Sequence, residues 1–140
     1  MSDIRSYNVG NSNYSRHSIQ PWDIWIDWKL NPFDADIIKR TLRVKKEQGM
    51  SSLESRKMDY EKIIHICMEM QRQNSNGVTW DKCFMSIHKI YPKDIRDEYH
   101  LCDEDFIIIE QILRNSETDY ETIIQACRER IRQIDKELND

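Results

Sequence analysis

The chain contains one stretch of sequence twice. A shift of 71 places lays Pro21, Asp23, Ile24, Leu30, Asp34, Ile37, Ile38, Leu42 and Arg43 on Pro92, Asp94, Ile95, Leu101, Asp105, Ile108, Ile109, Leu113 and Arg114. A shift of 60 lays Asp59, Tyr60, Glu61, Ile63, Ile64, Cys67, Glu69, Arg72 and Gln73 on Asp119, Tyr120, Glu121, Ile123, Ile124, Cys127, Glu129, Arg132 and Gln133. That is 9 identities in the 23 positions 21–43 and 9 in the 15 positions 59–73. We read it as an internal duplication. Most shared positions are apolar and recur at helical spacing, so both copies are expected to bury the same stripe.

The expected fold is all-α, with two diverged copies of a small helical unit packed as one pseudo-twofold helical domain. A unit of about fifty residues has a marginal core alone, whereas two stacked units bury more apolar surface. The apolar faces pairing between chains, giving a homo-oligomer, is the alternative. Only 3 Gly and 3 Pro occur in 140 residues, which suits helices with few connections, and 33% charged residues suit amphipathic helices.

Residues 1–17 read as a flexible polar tail without the apolar core of a signal peptide. Residues 18–140 read as one domain, with repeat one at 21–73, a linking helix at 78–91 and repeat two at 92–133. In repeat one, Pro21 opens a helix ending at Trp28 or Lys29. Asn31 and Pro32 cap and start a second, predicted to run to about Lys46. An exposed loop is expected at 47–55 and a third helix at 57–73. Thr79 is expected to cap the linking helix, which carries Trp80, Phe84, Ile87 and Ile90.

Where the copies differ, function has room to sit. Lys39, Arg40, Arg43, Lys45 and Lys46 become Glu110, Gln111, Arg114, Ser116 and Glu117. On a continuous helix Lys39, Arg43 and Lys46 fall within about 60° of one another. Lys39, Arg40, Arg43 and Lys46 are therefore candidate ligands for a phosphate group or an acidic partner, or else a solvated face favoured near a helix C-terminus. Trp22, Trp25 and Trp28 recur every third residue, with Lys93, Arg96 and Tyr99 opposite them in copy two. They are a candidate partner face, a stacking platform for a base, or a core stripe.

Several chemistries lack their signatures. There is no P-loop, no dinucleotide fingerprint, no HExxH and no paired ExxE, so no catalytic residue or cofactor is expected. His65 and Cys67, and Cys83 and His88, fall short of a convergent metal set, and no metal is expected. Cys67 and Cys127 read as buried small hydrophobes. Asp23, Asp94, Asp59 and Asp119 occur in both copies, which points to capping or buried ion pairing. A net charge of −4 argues against duplex nucleic acid as a partner, and no apolar run is long enough for a membrane.

Ile19, Pro21, Asp23, Ile24, Leu30, Ile38, Lys39, Arg43, Lys46, Asp59 and Lys62 together resemble the pattern of the small phage proteins grouped as the SaV-like family (DUF3310). The resemblance covers residues 17–73. Ala35-Asp36 stands where the family has Gly-Asn, Arg40 where it has Tyr, and the 47–55 loop is longer. The resemblance implies a phage-type protein acting in the cytoplasm of an infected bacterial host. Some members of the family carry a nucleotide-kinase label, and others are connected with host abortive infection. It also implies Lys39, Arg43 and Lys46 as the phosphate positions. The leading expectation is a non-enzymatic interaction protein that inhibits a host antiviral defence component through protein binding. The alternative is a nucleotide- or phosphate-binding protein, nucleotide-kinase-like, using the basic stripe.

Overall fold

Two long helices run antiparallel and share the core with the shorter helices around them. In a computed structural model, which describes residues 17–44, 46–80, 82 and 87–140, the elements are α1 (Pro21–Trp28), α2 (Pro32–Leu42), α3 (Ser52–Ser75), α4 (Pro92–Tyr99), α5 (Asp103–Ile112) and α6 (Tyr120–Leu138). No strand occurs among the described residues, and the protein is all-α. The expected N-terminal tail, except His17, lies outside the described residues, as do Lys45, Cys83 and Phe84.

The direction of α3 against α6 follows from two contacts at opposite ends. Lys57 at the start of α3 meets Asp135 near the end of α6 at 2.8 Å. Gln71, near the end of α3, donates to Glu121 in the first turn of α6 at 3.2 Å. Between them Tyr60, Ile63, Cys67, Ile123 and Cys127 are fully buried. Ile24, Ile37, Ile38, Ile95, Ile108 and Ile109 from the short helices complete the core. Each such isoleucine contributes about 2 kcal/mol of burial. The buried apolar positions that the two shifts align therefore contribute to one continuous core.

Local chemistry sets most of the helix ends. The Asn31 side chain accepts from the Asp34 backbone N–H at 2.8 Å, the cap that the Asn-Pro pair predicted. Asp23 accepts from the Gln20 N–H and Asp94 from the Tyr91 N–H, each at 2.9 Å, so these aligned carboxylates are caps. Helices α1 and α4 both stop on a left-handed residue, Lys29 at φ 49° and His100 at φ 53°. Neither is glycine, and each turn is closed by a bond from the next residue's N–H, Leu30 to Trp25 and Leu101 to Arg96.

Three sequence expectations need correction. Helix α2 ends at Leu42, well short of Lys46, because Arg43 adopts an extended backbone at φ −76° and ψ 144°. Helix α3 starts at Ser52, five residues early. Ser51 accepts from the Glu54 N–H while Glu54 accepts from the Ser51 N–H, a reciprocal cap that converts half of the expected loop into helix. The described residues of the expected linking helix, 78–80, 82 and 87–91, lie outside any helix. At its end the Asp27 carboxylate accepts from the N–H groups of Lys89 and Ile90.

Four contacts come in pairs that link residues aligned by the two shifts. Tyr60 donates to Asp105 at 2.6 Å, and Tyr120 donates to Asp34 at 2.8 Å. Trp28 donates to the Ile90 carbonyl, and Tyr99 to the Ile19 carbonyl, each at 2.7 Å. His88 stacks on Trp28 at 3.5 Å, and His17 on Tyr99 at 4.0 Å. Asp27 accepts from the Lys89 N–H, and Glu98 from the Ser18 N–H. The 71-place shift thus extends upstream of Pro21 to His17 and Ile19, opposite His88 and Ile90.

Candidate functional site

The four candidate basic residues do not form one stripe. Lys39 is exposed on α2 and Lys46 is exposed beyond its end. Arg40 and Arg43 turn inward instead. The Arg43 guanidinium reaches the buried Asp59 carboxylate with Nη2 at 2.8 Å and Nε at 3.1 Å, and its Nη2 lies 3.8 Å from Glu47. Arg40 adds Nη1 at 3.4 Å to Asp59, while its Nε lies 3.2 Å from Asp36 without hydrogen-bond geometry. Asp59 is 2% exposed. A buried carboxylate needs this company, since its desolvation costs several kcal/mol when it is unpaired. The extended turn at Arg43 delivers the partner, which is why α2 ends where it does.

Asp119, aligned with Asp59, has a different task. It is the N-cap of α6 and accepts from the N–H groups of Glu121 and Thr122. The difference follows from helix length: α3 begins eight residues before the aligned position Tyr60 does on α6. That extra segment, 52–59, carries Arg56, which sequence reading passed over. Arg56 donates to the carbonyls of Arg40 and Thr41 at the end of α2, each at 2.8 Å, and to Asp105 at 3.0 Å. Its guanidinium sits 4.5 Å from the Tyr60 ring centre. Burial opposes the Arg56 charge, but Asp105 and the Tyr60 oxygen hold it protonated, with its pKa above the ordinary value. The available signal was an arginine one turn before Tyr60, inside a segment rich in serine.

These residues border a cleft of about 440 Å3 at the junction of the α2 end, the α3 start and the α4–α5 turn. Its lining joins apolar Leu42, Val44, Leu53 and Leu101 to Arg43, Lys46, Arg56, His17 and His100, with Asp59 and Asp105 beneath. Two of the four candidate basic residues, Arg43 and Lys46, therefore meet at one cavity, whereas Lys39 and Arg40 do not line it. Lys45 lies outside the described residues.

A second cleft of about 540 Å3 lies where α2, α3 and the start of α6 meet, lined by Asp34, Met70, Trp80, Lys82, Glu117 and Tyr120 among others. Burial pushes the Asp34 pKa up, although Tyr120 and Asn31 donate to it and Lys82 is near. Burial lowers the pKa of Lys82, whose ammonium donates to the Ile112 carbonyl at 3.0 Å. The aligned residues Asp105 and Asp34 thus lie one in each cleft. Lys46 lines the first and its counterpart Glu117 the second.

The three tryptophans separate. Trp28 is 6% exposed, stacked and hydrogen-bonded inside the fold. Trp25 is half-buried against the core, and Trp22 is 43% exposed on the outer side of α1 beside the exposed Ile26. A shared stacking platform is not formed, because residues three apart on α1 advance around the axis and carry the stripe from solvent into the core. Cys67 and Cys127 are buried, as their positions implied. Burial drives both thiol pKa values up, that of Cys127 to about 12. Among the described residues no three His, Cys, Asp or Glu side chains converge for a metal, and no helix is long and apolar enough to cross a membrane.

Comparison with protein families, curated proteins and solved structures returned no match to this chain.

Proposed function

We propose that this chain is a non-enzymatic, phage-type interaction protein, made of two copies of one helical unit in a pseudo-twofold arrangement, that binds and inhibits a component of a host antiviral defence system. The observation that carries the binding reading is the state of the cations around the first cleft. Arg43 is engaged by Asp59, and Arg56 by Asp105 and two carbonyls, so both act as walls that hold a cavity open. Chemistry at such a site would need groups released from one another, whereas recognition needs a rigid recess with an apolar surface. The phage-type and anti-defence parts of the proposal rest on the resemblance carried by residues 17–73. The duplication and its pseudo-twofold arrangement are supported by the paired Tyr60–Asp105 and Tyr120–Asp34 bonds and the paired stacks on Trp28 and Tyr99.

The test is affinity capture from host lysate with the tagged full chain, repeated with Val44→Asp. One stoichiometric protein that is retained by the parent and lost from the variant supports the reading. Its complete absence, together with tight nucleotide binding, would overturn it. That second outcome belongs to the alternative, a nucleotide- or phosphate-binding protein, which is favoured by the meeting of Arg43 and Lys46 at one cavity. Calorimetric titration with nucleoside mono-, di- and triphosphates, against the parent and Lys46→Ala, separates the two.

A further inference from the structure

We infer that the first cleft receives an acidic peptide segment of a protein partner, with one apolar side chain seated against Val44, Leu53 and Leu101 and a neighbouring carboxylate facing Lys46. This inference rests on the protein-binding reading and names the chemistry of what is bound.

Charge complementarity argues for it within a chain whose net charge is −4. Of the fixed charges on the lining, Arg43, Lys46 and Arg56 outnumber Asp59 and Asp105. Asp59 and Asp105 pair with the two guanidinium groups, and Glu47, 3.8 Å from Arg43, lies outside the lining. Lys46 is exposed at the rim and supplies the surplus charge. The cleft also holds Ser52, the first residue of the 24-residue α3, whose helix dipole adds to the positive potential at that end. The second cleft has the reverse balance, with Asp34 and Glu117 against Lys82. An acidic segment is thus attracted to one cleft and disfavoured at the other.

Shape and surface argue for a peptide over a nucleotide. Val44 is 65% exposed, and Leu53 and Leu101 are half-buried, so the wall is aliphatic and open. A volume of about 440 Å3 holds an apolar side chain with its flanking backbone. Tyr99, the one Phe, Tyr or Trp side chain among the described residues of the lining, is covered on a face by His17 and has its hydroxyl committed to the Ile19 carbonyl. A base would have to displace His17 to stack there. A triphosphate would have to draw Arg43 off the buried Asp59, leaving that carboxylate uncompensated. One carboxylate facing Lys46 needs neither rearrangement.

The experiment selects random twelve-residue peptides on the immobilised full chain and measures the affinity of the enriched peptide by fluorescence anisotropy. The expected result is enrichment of Leu, Ile or Phe next to Asp or Glu. Affinity should fall at least tenfold for Val44→Asp and for Lys46→Glu, and stay within twofold for Lys39→Glu. All three substituted side chains are exposed, and circular dichroism melts matching the parent show that the fold is retained. Three outcomes overturn the inference: no enrichment, enrichment of peptides without acidic residues, or an affinity indifferent to both variants. Binding of ATP or inorganic phosphate that is lost in Lys46→Glu also overturns it and assigns the cleft to phosphate. If a lysate partner is captured equally by the parent and by Val44→Asp, the cleft assignment fails while protein binding stands.

Discussion

Tyr60 of α3 donates its hydroxyl to Asp105 of α5 at 2.6 Å, and this bond ties the first half of the chain to the second beneath the cleft. Its counterpart, Tyr120 to Asp34, crosses in the opposite direction. The two carboxylates are held differently. Asp105 also receives Arg56 at 3.0 Å, whereas among the described residues Asp34 has the neutral Asn31 amide beside its tyrosine, at 3.1 Å, and Lys82 at a distance.

That difference predicts unequal costs for removing the hydroxyl groups. Tyr60→Phe leaves Asp105 with a guanidinium and is expected to lower stability by about 1 kcal/mol. Tyr120→Phe leaves Asp34 without its strongest donor and is expected to cost more, about 2 kcal/mol at neutral pH. Urea unfolding of both variants checks the order.

Asp34 also predicts a pH dependence. Burial raises its folded pKa above the unfolded value, so the folded state favours the protonated acid. Its contribution to stability is therefore fully present below the unfolded value of about 3.9 and is lost as pH rises through the folded value. Glu69 and Glu129 behave in the opposite way. Hydrogen bonds from Arg72 and Arg132 hold each at about 2, so their contribution is present above the unfolded value and is lost as pH falls toward 2. Carboxyl-resolved NMR titration should find Asp34 above the usual aspartate range and both glutamates near the bottom of the scale.

Asp59 separates architecture from recognition. Asp59→Ala leaves the Arg43 side chain, 11% exposed, and Arg40 without their shared carboxylate, and is expected to cost about 3 kcal/mol. Lys39→Ala, at an exposed position on α2, is expected to change stability by less than about 0.5 kcal/mol. Equal effects in thermal melts would contradict the division between the two kinds of basic residue.

The tryptophans divide in the same way. Trp28→Ala removes a buried ring, its bond to Ile90 and its stack on His88, and is expected to cost about 4 kcal/mol. Trp22→Ala should leave unfolding within about 0.5 kcal/mol of the parent. Chemical denaturation followed by circular dichroism gives both values.

Much of the fold was legible in the sequence because it depends on local rules. The Asn31-Pro32 cap, the start of α1 at Pro21 and the stripe Tyr60, Ile63, Cys67 and Met70 were each written within one or two helical turns. The Ser51–Glu54 cap is equally local, but the serines around it favour a loop reading that hides it. The candidate site was only half legible. Arg43 and Lys46 are legible as basic positions, but the helical stripe their spacing predicts is broken by the extended backbone at Arg43. Arg56 is not legible as a site residue, because its partners Asp105 and the end of α2 are distant in sequence.

Amino-acid order by itself determined that this chain forms amphipathic helices and which of their faces are apolar, since periodicity and caps act over a few residues. Which charges stay at the surface was decided only by tertiary structure. A buried carboxylate such as Asp59 needs guanidinium partners, and the approach of the α2 end to α3 supplies Arg40 and Arg43. Desolvation then outweighs the preference of a basic run to continue as helix, and the chain turns at Arg43 to satisfy it.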